Sequence, residues 1–194
     1  MNAFVPDAAR LRLTLHDLDP APWRRIEVPL SMTFRELHDT IQAAFLWQNS
    51  HLWEFEIAGN RYGLLFEDDP DPLPVVEAGT RRLTDLRDMA IAEFLYIYDM
   101  GDCWEHHIEV EDLFVRPQDK RLPVFVDGKW RTPPEDAGGA PGFEAFLEIM
   151  ADESHEEHDD TLEWYGMPFD PKEIELEAIK AKIARVARAL GRKK

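Results

Sequence analysis

The sequence holds one cysteine, Cys103, in 194 residues. A single thiol makes no internal disulfide and no four-cysteine zinc site. Long apolar runs are also missing: no stretch of about 18 apolar residues occurs, so no membrane-spanning helix is expected. The N-terminus, MNAFVPDAARLRLTL, has no basic start leading into an apolar run, so no secretory leader is expected. Positive charge is scarce, with 22 Lys and Arg against 39 Asp and Glu and a net charge of −17. Such a surface repels phosphate and argues against general binding to nucleic acid or anionic membranes. Several short motifs are absent as well. There is no G-x-S-x-G, no phosphate-binding loop and no Gly-rich dinucleotide fingerprint, and EHHIE and HEEHD both miss the H-E-x-x-H spacing. The expectation is a cytoplasmic protein with no membrane contact and no assigned cofactor or metal.

What is present suits a packed core. The chain is 44% hydrophobic and 31% charged, with 11 Phe, 6 Trp and 4 Tyr to fill an interior. Its charge is uneven. From Lys172 onward there are eight Lys and Arg against three Glu, a net +5, which leaves −22 for the rest.

Leu11, Leu13 and Leu15 alternate with polar residues, which predicts a half-buried strand, and a second strand is expected from Trp23 to Val28. Thr33 and Glu36 form an S/T-x-x-E helix start, followed by an apolar stripe of Phe34, Leu37, Ile41, Ala44 and Phe45. His38 flanks that stripe and reads as a core histidine. Trp53, Phe55 and Ile57 lead through a Gly59-Asn60 turn into Tyr62, Leu64 and Phe66, a hairpin. The acidic, Pro-rich segment 67–80 reads as a loop, and FLYIY (94–98) as a central strand covered on both faces. Residues 116–139 carry four prolines and read as a crossing loop with a small Asp127-Gly128 hairpin. Helices are expected over 142–151, from Ser154 with Glu157 as its capping partner, and from Asp170-Pro171 onward along Ile179, Ile183, Val186 and Leu190. The layout is α+β: a β-grasp-like mixed sheet of about six strands with one packed helix over 1–139, and a C-terminal helical extension over 140–194 packed on the same unit.

The stretch YDMGDCWEHH (98–107) gathers acids, histidines and the cysteine. With Met100-Gly101 as a two-residue turn, Leu95, Ile97, Asp99, Asp102, Trp104 and His106 share one face. On a straight strand Asp102 and His106 are roughly 13 Å apart, too far for a hydrogen-bonded dyad at about 3 Å. Neighbouring His106 and His107 point to opposite faces and do not chelate together. The segment therefore reads as architecture, with Asp99 and Asp102 fixing the turn and His106 a buried, hydrogen-bonded imidazole. DESHEEHDD (152–160) reads as a solvated acidic helix, although His155 and His158 share a side at helical spacing. TPPEDAGGAPG (132–142) reads as a rigid elbow carrying the carboxylate pair Glu135 and Asp136.

PAPWRRIEVP (20–29), TFRELHDTIQAAFLWQNSHLWEFEI (33–57), YIYDMGDCWEHHIEVE (96–111), PPEDAGGAPGFEAFL (133–147) and FDP (169–171) together resemble the plasmid pRiA-type ORF-three-like family, in order over roughly residues 10–175. The resemblance implies an α+β fold and a link to plasmids and mobile elements, and it supplies no reaction. Its hairpin usually reads close to YDFGDDWEH, where this chain has Met100 and Cys103, and its HLHEF segment has Trp53 here for the second His. Cysteines that many members carry near PPED are also replaced, which counts against a metal site. Trp23, His51, Asp99, Gly101, Asp102, Trp104, Glu105, His106, Glu135 and Asp136 match the family pattern.

Three functional classes follow. The leading expectation is a non-enzymatic accessory or interaction module that binds a partner protein, a basic surface being favoured, through Asp99, Asp102, Trp104, Glu105, His106, Glu135 and Asp136. The alternative is a metal- or carboxylate-dependent hydrolase or nuclease-like enzyme, which requires these carboxylates to converge in a pocket. The third, DNA association through the basic stretch Lys180 to Lys194, is opposed by the whole-chain charge.

Overall fold

The computed structural model describes residues 5–65 and 74–192. The Phe66 end of the expected second hairpin and the first half of the acidic Pro-rich segment, residues 67–73, lie outside that range, as do residues 1–4 and 193–194. Among the described residues eight strands form one sheet: β1 (Ala8–Leu15), β2 (Trp23–Pro29), β3 (Trp53–Ile57), β4 (Asn60–Gly63), β5 (Val75–Glu77), β6 (Glu93–Tyr98), β7 (Trp104–Phe114) and β8 (Val124–Lys129). Their order across the sheet is β5-β4-β3-β6-β7-β1-β2-β8. Only β4 and β5 run parallel; the other neighbours are antiparallel. Among the described residues five helices complete the α+β fold: α1 (Phe34–Phe45), α2 (Thr84–Asp88), α3 (Gly139–Ala151), α4 (His158–Tyr165) and α5 (Leu176–Arg192).

The sheet has eight strands where about six were expected. The two additional strands lie at its edges. β8 pairs with β2, so Asp127 and Gly128 sit inside an edge strand and form no hairpin of their own. β5 lies within the segment read as loop. Edge strands carry a weak apolar signal because much of each is exposed, as Val126 is.

Elsewhere alternation sets the burial. Leu11, Leu13 and Leu15 of β1 are fully buried on the face that meets α1. In β6, Phe94, Tyr96 and Tyr98 are buried while Leu95 and Ile97 are only half-buried, so this strand is covered mainly on one face. The β3–β4 turn is Ala58-Gly59, both left-handed, one residue earlier than expected, because Ile57 pairs with Asn60.

Helix α1 starts with the expected capping box: Thr33 Oγ1 accepts from Glu36 N–H, and Glu36 accepts from Thr33 N–H. No cation lies in its own last turn. Two arrive from other elements, where the helix dipole favours them. Arg24 Nε donates to Ala44 O at 3.0 Å, and Lys182 Nζ donates to Leu46 O at 3.1 Å. Helix α5 thereby joins the α1 side of the core, with Ile179 and Ile183 fully buried. It begins at Leu176 and not at Pro171: Glu175 is left-handed (φ 54°), which interrupts a helix, and Asp170 closes only a local turn through Lys172 N–H. Helix α4 lacks the capping pair expected of Ser154 and Glu157, since Ser154 bonds to Asp152 instead.

Candidate functional site

The β6–β7 connection differs from a two-residue turn. Tyr98 pairs with Trp104 and Tyr96 with His106, so residues 99–103 form a five-residue loop. Asp99 (φ 59°) and Cys103 (φ 55°) both take left-handed backbone, which lets the longer loop close. The pairing shifts by one residue from the expectation. Trp104 and His106 therefore share the core face with Tyr96 and Tyr98, and not with Leu95, Ile97 and Asp99.

His106 is completely buried. Its Nδ1 lies 3.1 Å from Trp104 O and 3.3 Å from Tyr96 O, two acceptors, so Nδ1 carries the proton. Burial pushes its pKa down to about 3. It is the buried imidazole expected, hydrogen-bonded through Nδ1, while its Nε2 is buried without a hydrogen-bond partner among the described residues.

Asp99 is held by the loop it closes. Its Oδ1 accepts from Gly101 N–H at 3.0 Å, which leaves Oδ2 directed outward from the turn. Asp102 reaches across instead: its Oδ2 accepts from Gly138 N–H at 3.0 Å. That bond fastens the 133–139 elbow to the hairpin loop. Two further bonds place Glu135. Gln48 N–H donates to its Oε1 at 2.7 Å, and the Tyr98 hydroxyl donates to it at 3.1 Å. Burial raises the Tyr98 pKa well above that of an ordinary phenol, so the hydroxyl keeps the proton it donates.

His51 sits in the loop from α1 to β3. A closed hydrogen-bond ring fixes that loop. Gln42 Nε2 donates to the Tyr96 oxygen, Tyr96 O–H donates to His38 Nδ1, and His38 Nε2–H donates to Asn49 Oδ1. Asn49 N–H then returns to Gln42 Oε1 at 2.8 Å. Every member is paired, as a buried polar network must be. Trp53 stacks on the His38 ring with centroids 3.9 Å apart.

The result is a convergence of three chain segments. His51 Nε2 lies 3.1 Å from Asp136 Oδ1, 3.5 Å from Asp99 Oδ2 and 3.6 Å from Glu135 Oε2. This nitrogen is buried and makes no hydrogen bond. The ligand atoms of His51, Asp99 and Asp136 all lie within 4.8 Å of one another. Asp136, like Asp99, is left-handed, with φ 58°. Backbone strain at non-glycine residues of this kind collects at functional sites.

A cleft of about 490 Å³ opens beside the cluster. Glu135, Asp136, Arg131 and Lys182 line it, and Trp47, Trp164 and Tyr165 supply aromatic surface. The volume falls in the range of small-molecule sites.

Of the residues singled out from sequence, Asp99, Glu135 and Asp136 come together, and Asp102 braces them. Trp104 is buried and packs near Trp47, with ring centroids 6.3 Å apart. Glu105 follows on the opposite side of β7 from Trp104 and His106 and does not join the group. In the 152–160 stretch, His158 Nδ1 bonds to Ile149 O and His155 Nδ1 accepts from Glu157 N–H, so the two rings are engaged with backbone. His51 and Tyr98 are the side chains of this cluster not selected from sequence. His51 was visible only as one of the positions matching the family pattern.

The chain matches the plasmid pRiA4b ORF-3-like protein family over residues 7–178. It is 37% identical over 163 residues to the uncharacterized protein y4hQ of Sinorhizobium fredii (strain NBRC 101917 / NGR234), covering 84% of this chain and 83% of that protein. The crystal structure of MM3350 from Methanosarcina mazei Go1, titled a protein of unknown function, superimposes with a TM-score of 0.79 at 35% identity, covering 88% of this chain and 96% of that one. The chain therefore belongs to the plasmid pRiA4b ORF-3-like protein family.

Proposed function

We propose that the chain binds a divalent metal ion through His51 Nε2, Asp99 Oδ2 and Asp136 Oδ1, with Glu135 alongside. One observation carries this reading: a buried imidazole nitrogen without a hydrogen bond faces three carboxylates at 3.1, 3.5 and 3.6 Å. Two ligands each about 2.0–2.2 Å from one ion, at a tetrahedral angle, stand roughly 3.3–3.6 Å apart. The distances from His51 Nε2 to Asp99 and Glu135, 3.5 and 3.6 Å, fall in that range, that to Asp136, 3.1 Å, is slightly shorter, and the ligand atoms within 4.8 Å of one another would draw together about an ion. At an effective dielectric of about 20, two carboxylates 4–5 Å apart repel by about 3–4 kcal/mol, which a shared cation offsets. His51 Nε2 carries at most one N–H, which bonds to one acceptor and not to three. A nitrogen ligand among carboxylates suits zinc or manganese better than magnesium or calcium. An ion there, facing the cleft, equips the chain for hydrolysis of an anionic ester.

Isothermal titration with Zn²⁺ or Mn²⁺ tests the reading. The expected result is about one equivalent bound by the parent protein and none by His51→Ala or Asp99→Asn. A parent protein that binds no metal, or variants that bind as well as the parent, would contradict it.

The second reading, an accessory module for a basic protein surface, is supported by the net charge of −17 and the exposed acids of the 152–160 stretch. Such a complex dissolves with added salt. DNA association through α5 has less support, since the net charge of −17 opposes it and Lys180 pairs with Glu177.

A further inference from the structure

The cleft beside the candidate centre has an unusual charge balance. Arg24 is almost completely buried and lines its floor. Its guanidinium bonds to Ala44 O, Trp23 O, Lys129 O, Trp130 O and Thr132 Oγ1, and to no carboxylate among the described residues. Lys182 lines the same cleft and likewise forms no ion pair among the described residues; its one bond is to Leu46 O. Arg131, the third cation, is paired with Glu175.

The cleft lining thus holds three cations and three carboxylates, Glu135, Asp136 and Glu175, and Asp99 of the adjoining cluster makes a fourth. The region is net negative by one charge without metal and net positive by one with a divalent ion. An ion at the centre therefore changes the cleft from one that repels anions to one that attracts them. Lys182 keeps two N–H donors free of its bond to Leu46 O, since an ammonium has three. Trp164 is 54% exposed on the cleft wall, a large apolar ring with one edge set against Phe146. An exposed indole beside a lysine forms a stacking surface next to a phosphate partner.

From this arrangement, and resting on the metal-binding reading above, we infer that the cleft takes a phosphate monoester carrying a planar ring. The phosphate lies between the ion and Lys182, and the ring lies on Trp164. Metal and ligand then bind in order, because the anion is attracted only after the ion has reversed the local charge.

The test uses the full chain, with Mn²⁺ as metal and adenosine 5′-monophosphate and inorganic phosphate as separate probes, followed by titration calorimetry and tryptophan fluorescence. The Mn²⁺-loaded protein is expected to bind the nucleotide at least about tenfold more tightly than the metal-free protein, the scale of one charge-assisted contact. Lys182→Met is expected to weaken the nucleotide by about the same factor while Mn²⁺ stoichiometry stays the same. Trp164→Leu is expected to weaken the nucleotide and leave inorganic phosphate unchanged. Mn²⁺ binding without nucleotide binding overturns this inference alone. Phosphate binding without nucleotide binding overturns the planar-ring class. Equal nucleotide binding with and without Mn²⁺ overturns the ordered scheme. Failure of Mn²⁺ itself to bind removes the centre, and the inference falls with it.

Discussion

His38 Nε2 donates to Asn49 Oδ1 at 2.7 Å while its Nδ1 accepts from Tyr96 O–H at the same distance. Only a neutral ring can do both. Burial holds the His38 pKa down to about 3, as it does for His106. In the unfolded chain both rings take up protons near pH 6.5. The unfolded state therefore binds more protons between about pH 6.5 and 3, and stability falls as pH falls through that window.

Between pH 6 and 5, above the carboxylate range, the two rings together are expected to reduce unfolding free energy by about 2–2.7 kcal/mol per pH unit. Urea denaturation across that interval measures the slope. A flat profile would show that these imidazoles titrate normally in the folded chain.

Gly139 is left-handed (φ 68°), and a Cβ placed there would stand 2.8 Å from Asp102 O. The contact is with backbone, so it is not relieved by rotating a side chain. Gly139→Ala is expected to destabilise the protein by about 1–3 kcal/mol. It also pushes the elbow away from the hairpin loop that Asp102 fastens through Gly138. Thermal melting reads the first effect, and a weaker metal isotherm at a temperature where the variant is folded reads the second. Unchanged melting would mean that the two loops are not in close contact.

Arg24 joins β2, the end of α1 and the segment after β8 through five hydrogen bonds. Burial lowers its pKa to about 10, still high enough to keep it charged at neutral pH. Arg24→Met leaves several carbonyls unpaired in the interior and is expected to cost about 3–5 kcal/mol. Arg24→Lys keeps the charge but not the fork of donors, and is expected to recover only part of that loss. Denaturant midpoints of the two variants check the order. Equal stability of the methionine variant and the parent would contradict this bracing role.

Local signals were strong where one residue reports on its neighbours. The Thr33–Glu36 box, the leucine alternation of β1 and the Ile179–Ile183 face of α5 each lie within a few positions of sequence. The hairpin loop was harder to read. DMGDC suggests a tight Gly turn, but Asp99 and Cys103 adopt left-handed backbone and lengthen it, which moves Trp104 and His106 to the other face. The acidic pair at the elbow was visible, but its partner was not. His51 is a lone histidine between Ser50 and Leu52, and it meets Asp99 and Asp136 only through contacts 48 and 85 positions away in sequence. The Asp170-Pro171 helix start failed for a local reason, since left-handed Glu175 separates that turn from α5.

The most direct measurement of the central claim is the anomalous difference map of crystals grown with Mn²⁺. The account predicts one peak among His51 Nε2, Asp99 Oδ2 and Asp136 Oδ1, about 2.0–2.3 Å from each. A map with manganese elsewhere on the chain and none at this position, or with His51 Nε2 hydrogen-bonded to a single carboxylate in its place, would contradict it.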